Sequence, residues 1–258
     1  MKHSIFVSML LVAACSDPGA ESNDATTLIS ADQACLSNKD FDVQFSDCDV
    51  FAGLANVSAA RARALVPAEY TLAGIAPNAT LVVRVAHCAD VVVDGKSRGP
   101  TILSHIGVGI VGPDTSVNLN NYTLWYATDN ALLHAKLTAA GLAADKSNSL
   151  GIDLGADGTL TVVSSSAHTP SFQVTGTATL PTAAPVPTSA TWWENGRHGA
   201  VSSKTVLPVI QFGTSQTVLT TPANSELAAL IGGTTLTFPI LDSYNLFPSG
   251  IMEVRDTD

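Results

Sequence analysis

His105 is the side chain in this sequence best suited to acid–base work, because a free imidazole titrates near 6.5. It stands in Thr101–Val111, TILSHIGVGIV, whose alternation puts Leu103, His105, Gly107, Gly109 and Val111 on one strand face. Two glycines on that face leave room for a ligand or another backbone. His105 is therefore either a general acid or base, or a hydrogen-bonded interior histidine. His87-Cys88-Ala89-Asp90 contains metal-ligating types, but neighbours on a strand point to opposite faces, so His87 and Cys88 cannot easily share an ion. No metal is expected there. Trp192-Trp193-Glu194-Asn195-Gly196-Arg197-His198-Gly199 has the makings of a ligand-binding tip, although Asn195-Gly196 suits a plain turn with one tryptophan packed inward. No nucleophile elbow, zinc-protease helix or phosphate-binding glycine loop occurs. Lys146 lies just beyond a short helix, and Lys136 on that helix is expected on its exposed polar face.

The elements that position these residues are mostly strands. Thr, Val, Ser and Gly abound while charged residues make up only 13%, which favours strands and turns. Ala79–Asp94 is valine-rich and ends at an Asp94-Gly95 turn; alternation places Val83, Val85 and His87 opposite Val82, Arg84 and Cys88. Tyr122–Thr128 is a third strand, with Tyr122, Leu124 and Tyr126 alternating against Thr123 and Trp125. Asp129 or Asn130 can cap the helix Ala131–Ala140, and Gly141 suits its end. Gly155-Ala156-Asp157-Gly158 reads as a hairpin turn, and Ser225–Ile231 as a short helix between a serine cap and Gly232. Ala52–Leu65 has the composition of another short helix, stopped by Pro67. Asp40, Asp42, Asp47 and Asp49 form no twelve-residue calcium loop and read as a solvated acidic face.

The 258-residue chain carries a net charge of −10, so a nucleic-acid partner is not expected. Lys2 and the apolar run Ile5–Ala14 form an export signal, too short to span a bilayer as a mature helix. Val12-Ala13-Ala14-Cys15 resembles the lipobox of bacterial lipoproteins. That resemblance implies acylation of Cys15 and a lipid anchor in the cell envelope. Ser16-Asp17 lacks the aspartate directly after cysteine that accompanies inner-membrane retention, which favours the outer membrane, on its periplasmic or surface side. Residues 1–14 are thus the signal peptide, 15–50 the anchor, tether and N-terminal extension, and 51–258 one domain. An oxidising compartment permits disulfides. Cys35–Cys48 is the first-choice pair and leaves Cys88 as a thiol, with the alternatives involving Cys88 open.

Ala64-Leu65-Val66-Pro67, the His105 strand, Tyr122-Thr123-Leu124-Trp125-Tyr126, the helix ending at Gly141 and the lysine turn after it follow one another in an order that resembles the acetoacetate decarboxylase superfamily, over about residues 60 to 255. The resemblance implies a mainly β fold: a large, mostly antiparallel barrel or cone with a few short helices. It also implies a lysine that forms a Schiff base with a keto acid, its pKa lowered by desolvation and a neighbouring cation. The family's lysine pair falls on Ala144 and Asp145, and Lys146 is the displaced candidate. Asp145 beside it would favour the ammonium. The helical Gly-Arg-Glu step falls on Lys136-Leu137-Thr138, and the strand glutamate on Ser104-His105. Nucleophile, activating cation and supporting carboxylate are thus all replaced.

The expected function is therefore binding, without decarboxylase activity: a barrel holding a small apolar or carboxylate-bearing molecule, lined by Arg84, Trp125 and Tyr126, with no cofactor. The alternative is a lyase acting on a keto acid through Lys146 or His105.

Overall fold

The computed structural model describes residues 40–113, 119–197 and 199–257. Its strands, in chain order, are β1 (Phe41–Ser58), β2 (Asn78–Val93), β3 (Lys96–Ser97), β4 (Thr101–Gly109), β5 (Leu119–Thr128), β6 (Ala144–Lys146), β7 (Ser149–Leu154), β8 (Thr159–Ser165), β9 (Phe172–Thr179), β10 (Val186–Gly196), β11 (Gly199–Phe212), β12 (Thr214–Thr220), β13 (Thr235–Thr237) and β14 (Leu241–Asp256). Three short helices interrupt them: α1 (Ala59–Arg63), α2 (Ala131–Ala139) and α3 (Glu226–Ile231).

Seven strands close into a barrel in the order β1-β14-β11-β10-β5-β4-β2, sealed by pairing of β2 with β1. Every contact around the ring is antiparallel except β10 with β5. Closure leaves the ring without an unpaired edge. A second sheet, β13-β12-β9-β8-β7, supplies apolar residues to one of two cores. That core joins Leu160, Val162, Val174 and Leu219 of the second sheet to Phe51, Leu81, Val83, Val85 and Val108 on the outer barrel face. The other core fills one end of the lumen with Phe45, Val50, Ala86, Phe247 and Met252, and takes Leu133, Leu137 and Ala140 from α2.

Local chemistry accounts for the elements near the site. In β2 the odd residues 81, 83 and 85 are fully buried in the outer core, so Val82 and Arg84 are left to face the lumen, where both line a cavity. Asp94 and Gly95 both have positive φ, 48° and 75°, as a two-residue hairpin turn requires. The Asn130 side chain accepts from the backbone N–H groups of Leu132 and Leu133 at 3.1 and 3.0 Å, which satisfies two orphan donors at the start of α2.

Three expectations need correction here. β1 is a strand from Phe41, ahead of the expected boundary at 51, and only residues 59–63 of the expected helix are helical. Pairing with β14 and β2 on both sides overrides the alanine content of this stretch. Cys48 bonds to Cys88, with the Cα atoms 4.0 Å apart, and not to Cys35. The register places Cys48 directly opposite Cys88 in the β1–β2 seam. Closing a loop of 40 residues limits the unfolded chain by roughly 4 kcal/mol. Cys35, Cys15 and the segment read as a signal peptide lie outside the described residues.

Candidate functional site

Among the described residues, two compartments of the lumen share one wall. The larger is a cavity of about 460 Å³ walled by β1, β2, β5, β10, β11 and β14. Its walls are mainly apolar, among them Val50, Leu54, Val82, Leu207 and Phe247. Arg84 is the single ionisable residue among those that line it. Arg84 is half-buried, and burial holds its pKa below the ordinary arginine value, yet it stays charged at neutral pH. Among the described residues no carboxylate pairs with it. The ionisable groups that sense its charge most directly are Tyr126 and His105, both neutral at pH 7.

The smaller compartment, at about 10 Å³, has no room for a ligand and is lined by His105, Thr123, Tyr126, Ala144, Trp192, Glu194 and Ser203, with Leu137 and Leu142. His105 Nε2 lies 2.9 Å from Thr123 Oγ1. Its ring stacks on Trp192 at 3.6 Å and meets Tyr126 edge-on at 4.7 Å. Burial, and then the nearby Arg84 charge, hold its pKa well below the ordinary value, so His105 is neutral at physiological pH. Glu194 is buried, which pushes its carboxyl up to about 7, although the Ala143 backbone N–H donates to it at 2.7 Å. Burial also pushes the Tyr126 phenol up. This compartment can hold or move a proton, but no amine faces it.

Trp192 forms the shared wall. It fits because residue 107 is glycine: a β-carbon there would collide with the Trp192 ring and the Tyr122 carbonyl. The room expected beside Gly107 is thus filled by tryptophan, whereas Gly109 opens onto the larger cavity.

The other candidates fall in different places. Lys146 is exposed, and its Nζ lies 3.4 Å from Asn148 Oδ1. It does not reach the lumen. Asp145 is turned away from it: Ser166 Oγ and the His168 N–H donate to the carboxylate at 2.6 and 2.7 Å, and such bonds help hold its pKa below the ordinary value against the opposing effect of burial. Ala144 of β6 lines the smaller compartment. Lys136 was expected at the surface but is 2% exposed. It forms an ion pair with Asp94 and sits 5.8 Å from the Phe41 ring centroid, so α2 is tied to the β2–β3 turn.

Trp125 is absent from both compartments and packs in the outer core. A register shift beside Ile106 and Gly107 pairs Trp125 with Ile106 and Thr123 with Gly107, which leaves Leu124 as an extra residue in β5. As the strand neighbour of lumen-facing Tyr126, Trp125 points outward, and the bulge sends Tyr122 and Tyr126 to opposite cores. Both tryptophans of the expected tip are buried. Trp193 Nε1 donates to Asn120 Oδ1 at 2.8 Å, and the β10–β11 hairpin turns at Gly196–Gly199. Sequence reasoning missed Glu194 and Trp192 as lumen residues. Their alternate spacing in TWWEN was a usable signal once β10 was recognised as a barrel strand.

A seven-strand closed barrel with one parallel contact, a second sheet against it and a helix capping the lumen matches known structures. A solved acetoacetate decarboxylase aligns over 83% of this chain and 87% of its own, with TM-score 0.56 at 13% identity. The chain has the acetoacetate decarboxylase-like fold. The acetoacetate decarboxylase of Legionella pneumophila aligns at TM-score 0.54 and 14% identity over 81% and 84% of the two chains. The enduracididine biosynthesis enzyme MppR, with HEPES buffer bound, aligns at 0.51 and 13% over 93% and 96%. No family model and no curated protein matches the sequence. Of the two residues to which the sequence resemblance assigns the lysine pair, Ala144 stands at the smaller compartment and Asp145 is engaged outside it.

Proposed function

We propose that this acetoacetate decarboxylase-like barrel is a binding protein for a largely apolar small molecule bearing a carboxylate, held in the larger cavity with its anionic group at Arg84. One observation carries this reading: a charged, half-buried arginine lining a mainly apolar cavity without an acidic partner among the described residues. Desolvating a lone guanidinium is costly, and a bidentate carboxylate is the partner its geometry suits best. Against the lyase alternative, Lys146 is solvent-facing and Ala144 presents a methyl group to the smaller compartment.

The test is calorimetric titration of a panel of carboxylates, run with Arg84→Met, alongside borohydride trapping with keto acids read by intact mass. Carboxylate binding that Arg84→Met weakens about a hundredfold, without a covalent adduct, is the expected result. An adduct on Lys146 would overturn it. Export and lipid anchoring through Cys15 belong to the same proposal, and a buried disulfide at Cys48–Cys88 suits an oxidising compartment. Incorporation of a labelled fatty acid that Cys15→Ser abolishes is the expected outcome there.

A further inference from the structure

We infer that the occupant of the larger cavity is a single-chain amphiphile, an unbranched alkyl carboxylate of medium length whose tail runs from Arg84 towards the cavity mouth; this rests on the carboxylate-binding reading. The first argument is size. At the ~30 Å³ that a water-sized group occupies, a cavity of about 460 Å³ takes about fifteen non-hydrogen atoms. A short keto acid of roughly six or seven such atoms would leave more than half of that space unfilled, at a cost in lost dispersion contacts. An alkyl carboxylate of about ten to twelve carbons, with roughly twelve to fourteen non-hydrogen atoms, fills most of it.

The second argument is the distribution of polarity. The one charge is at Arg84, and the walls beyond it are dominated by aliphatic and aromatic side chains. Amide and hydroxyl side chains such as Asn121, Thr205 and Asn245 also border the cavity, but they are the minority, and a polyhydroxylated acid would leave most of its hydroxyls against apolar wall. An alkyl chain asks for nothing but apolar contact.

The third argument is the mouth. Among the lining residues, Leu119, Ile240 and Phe212 keep 64%, 48% and 37% of their surface exposed, whereas Trp192, Thr205, Asn245 and Phe247 are buried. The exposed three mark the outer end of the cavity. Large apolar side chains around an opening offer contact to a chain too long to be swallowed entirely, and they disfavour a short polar ligand that would sit wholly inside.

The test is calorimetry on the full chain, freed of bound lipid, below the critical micelle concentration. The probes are butyrate, octanoate, decanoate, dodecanoate and hexadecanoate, with decanol and methyl decanoate as uncharged partners. Affinity is expected to rise about fourfold per methylene through octanoate, decanoate and dodecanoate, and to level off by hexadecanoate. Decanol and methyl decanoate bind at least tenfold more weakly than decanoate to the wild type, and Arg84→Met removes that difference. Leu119→Asp, an exposed change that leaves the fold intact by circular dichroism, weakens dodecanoate more than octanoate. Butyrate binding as tightly as decanoate overturns the chain inference and leaves the carboxylate reading standing. Equal binding of decanoate and decanol removes Arg84 from recognition and overturns both. Absence of binding by every probe likewise overturns both.

Discussion

The two compartments of the barrel share a wall and differ in almost everything else. The larger has space, apolar walls and one fixed positive charge. The smaller has almost no space but several groups that can carry a proton: neutral His105, the Tyr126 phenol and Glu194, which titrates at about 7. The open space and the proton-carrying groups thus lie on opposite sides of Trp192. A fold can keep its architecture while the chemistry at its centre is redistributed. Here the space lies with the cation and the acid–base groups are packed shut.

Removing the wall is the harshest way to break this division. Trp192→Ala is expected to cost about 3–5 kcal/mol of stability, measured by urea denaturation. It should also merge the two spaces, so that bulkier carboxylates bind than the wild type admits. Retention of wild-type selectivity by a folded Trp192→Ala would show that the wall separates nothing.

The next largest effect falls in the smaller compartment. Glu194 has a raised folded-state pKa, about 7 against an ordinary 4.5, so at intermediate pH the folded protein holds a proton that the unfolded chain has lost. Its contribution favours folding below about pH 4.5 and is lost as pH rises to about 7, on the order of 3 kcal/mol in all. His105 acts oppositely, because its folded-state pKa is depressed and stability falls as pH drops below the ordinary histidine range. Glu194→Gln is expected to flatten the loss between pH 5 and 7 while leaving the acid-side loss in place. An unchanged pH profile would mean that Glu194 is solvated and the compartment is not closed.

In the larger cavity, Arg84→Met is expected to weaken carboxylate binding about a hundredfold and to raise the melting temperature of the ligand-free protein, because a largely desolvated charge without an acidic partner among the described residues is replaced by an apolar chain. A structural arginine would give the reverse sign in the melting experiment. The smallest effect is expected at Lys146→Ala: within about 0.5 kcal/mol in stability and no change in ligand affinity. A marked loss at Lys146 would return this residue to the functional site.

Much of the fold was legible because it rests on local rules. The alternation of β2 correctly set Arg84 opposite Val83 and Val85, Asn130 was readable as a cap, and Ser225 with Gly232 bounded α3. What escaped the sequence depends on partners distant along the chain. The extra residue at Leu124 takes Tyr122 off the face of Tyr126, and strict alternation has no means of announcing it, although alternation alone forbids Trp125 and Tyr126 from sharing the lumen. Cys88 rather than Cys35 meets Cys48 because of the β1–β2 register. Lys136 is buried because the β2–β3 turn brings Asp94 to it. Glu194 enters the lumen only through β10, whose parallel contact with β5 local patterning cannot reveal.

The wall between the compartments is also a chromophore. The chain has three tryptophans; Trp125 and Trp193 belong to the outer core, and only Trp192 borders the cavity. Emission from that indole should therefore shift when the cavity fills, while the other two supply a constant background. Trp192→Phe should silence the response without abolishing uptake. The protein thus carries its own optical reporter, and extracts can be screened for the native occupant by fluorescence before any candidate is chosen.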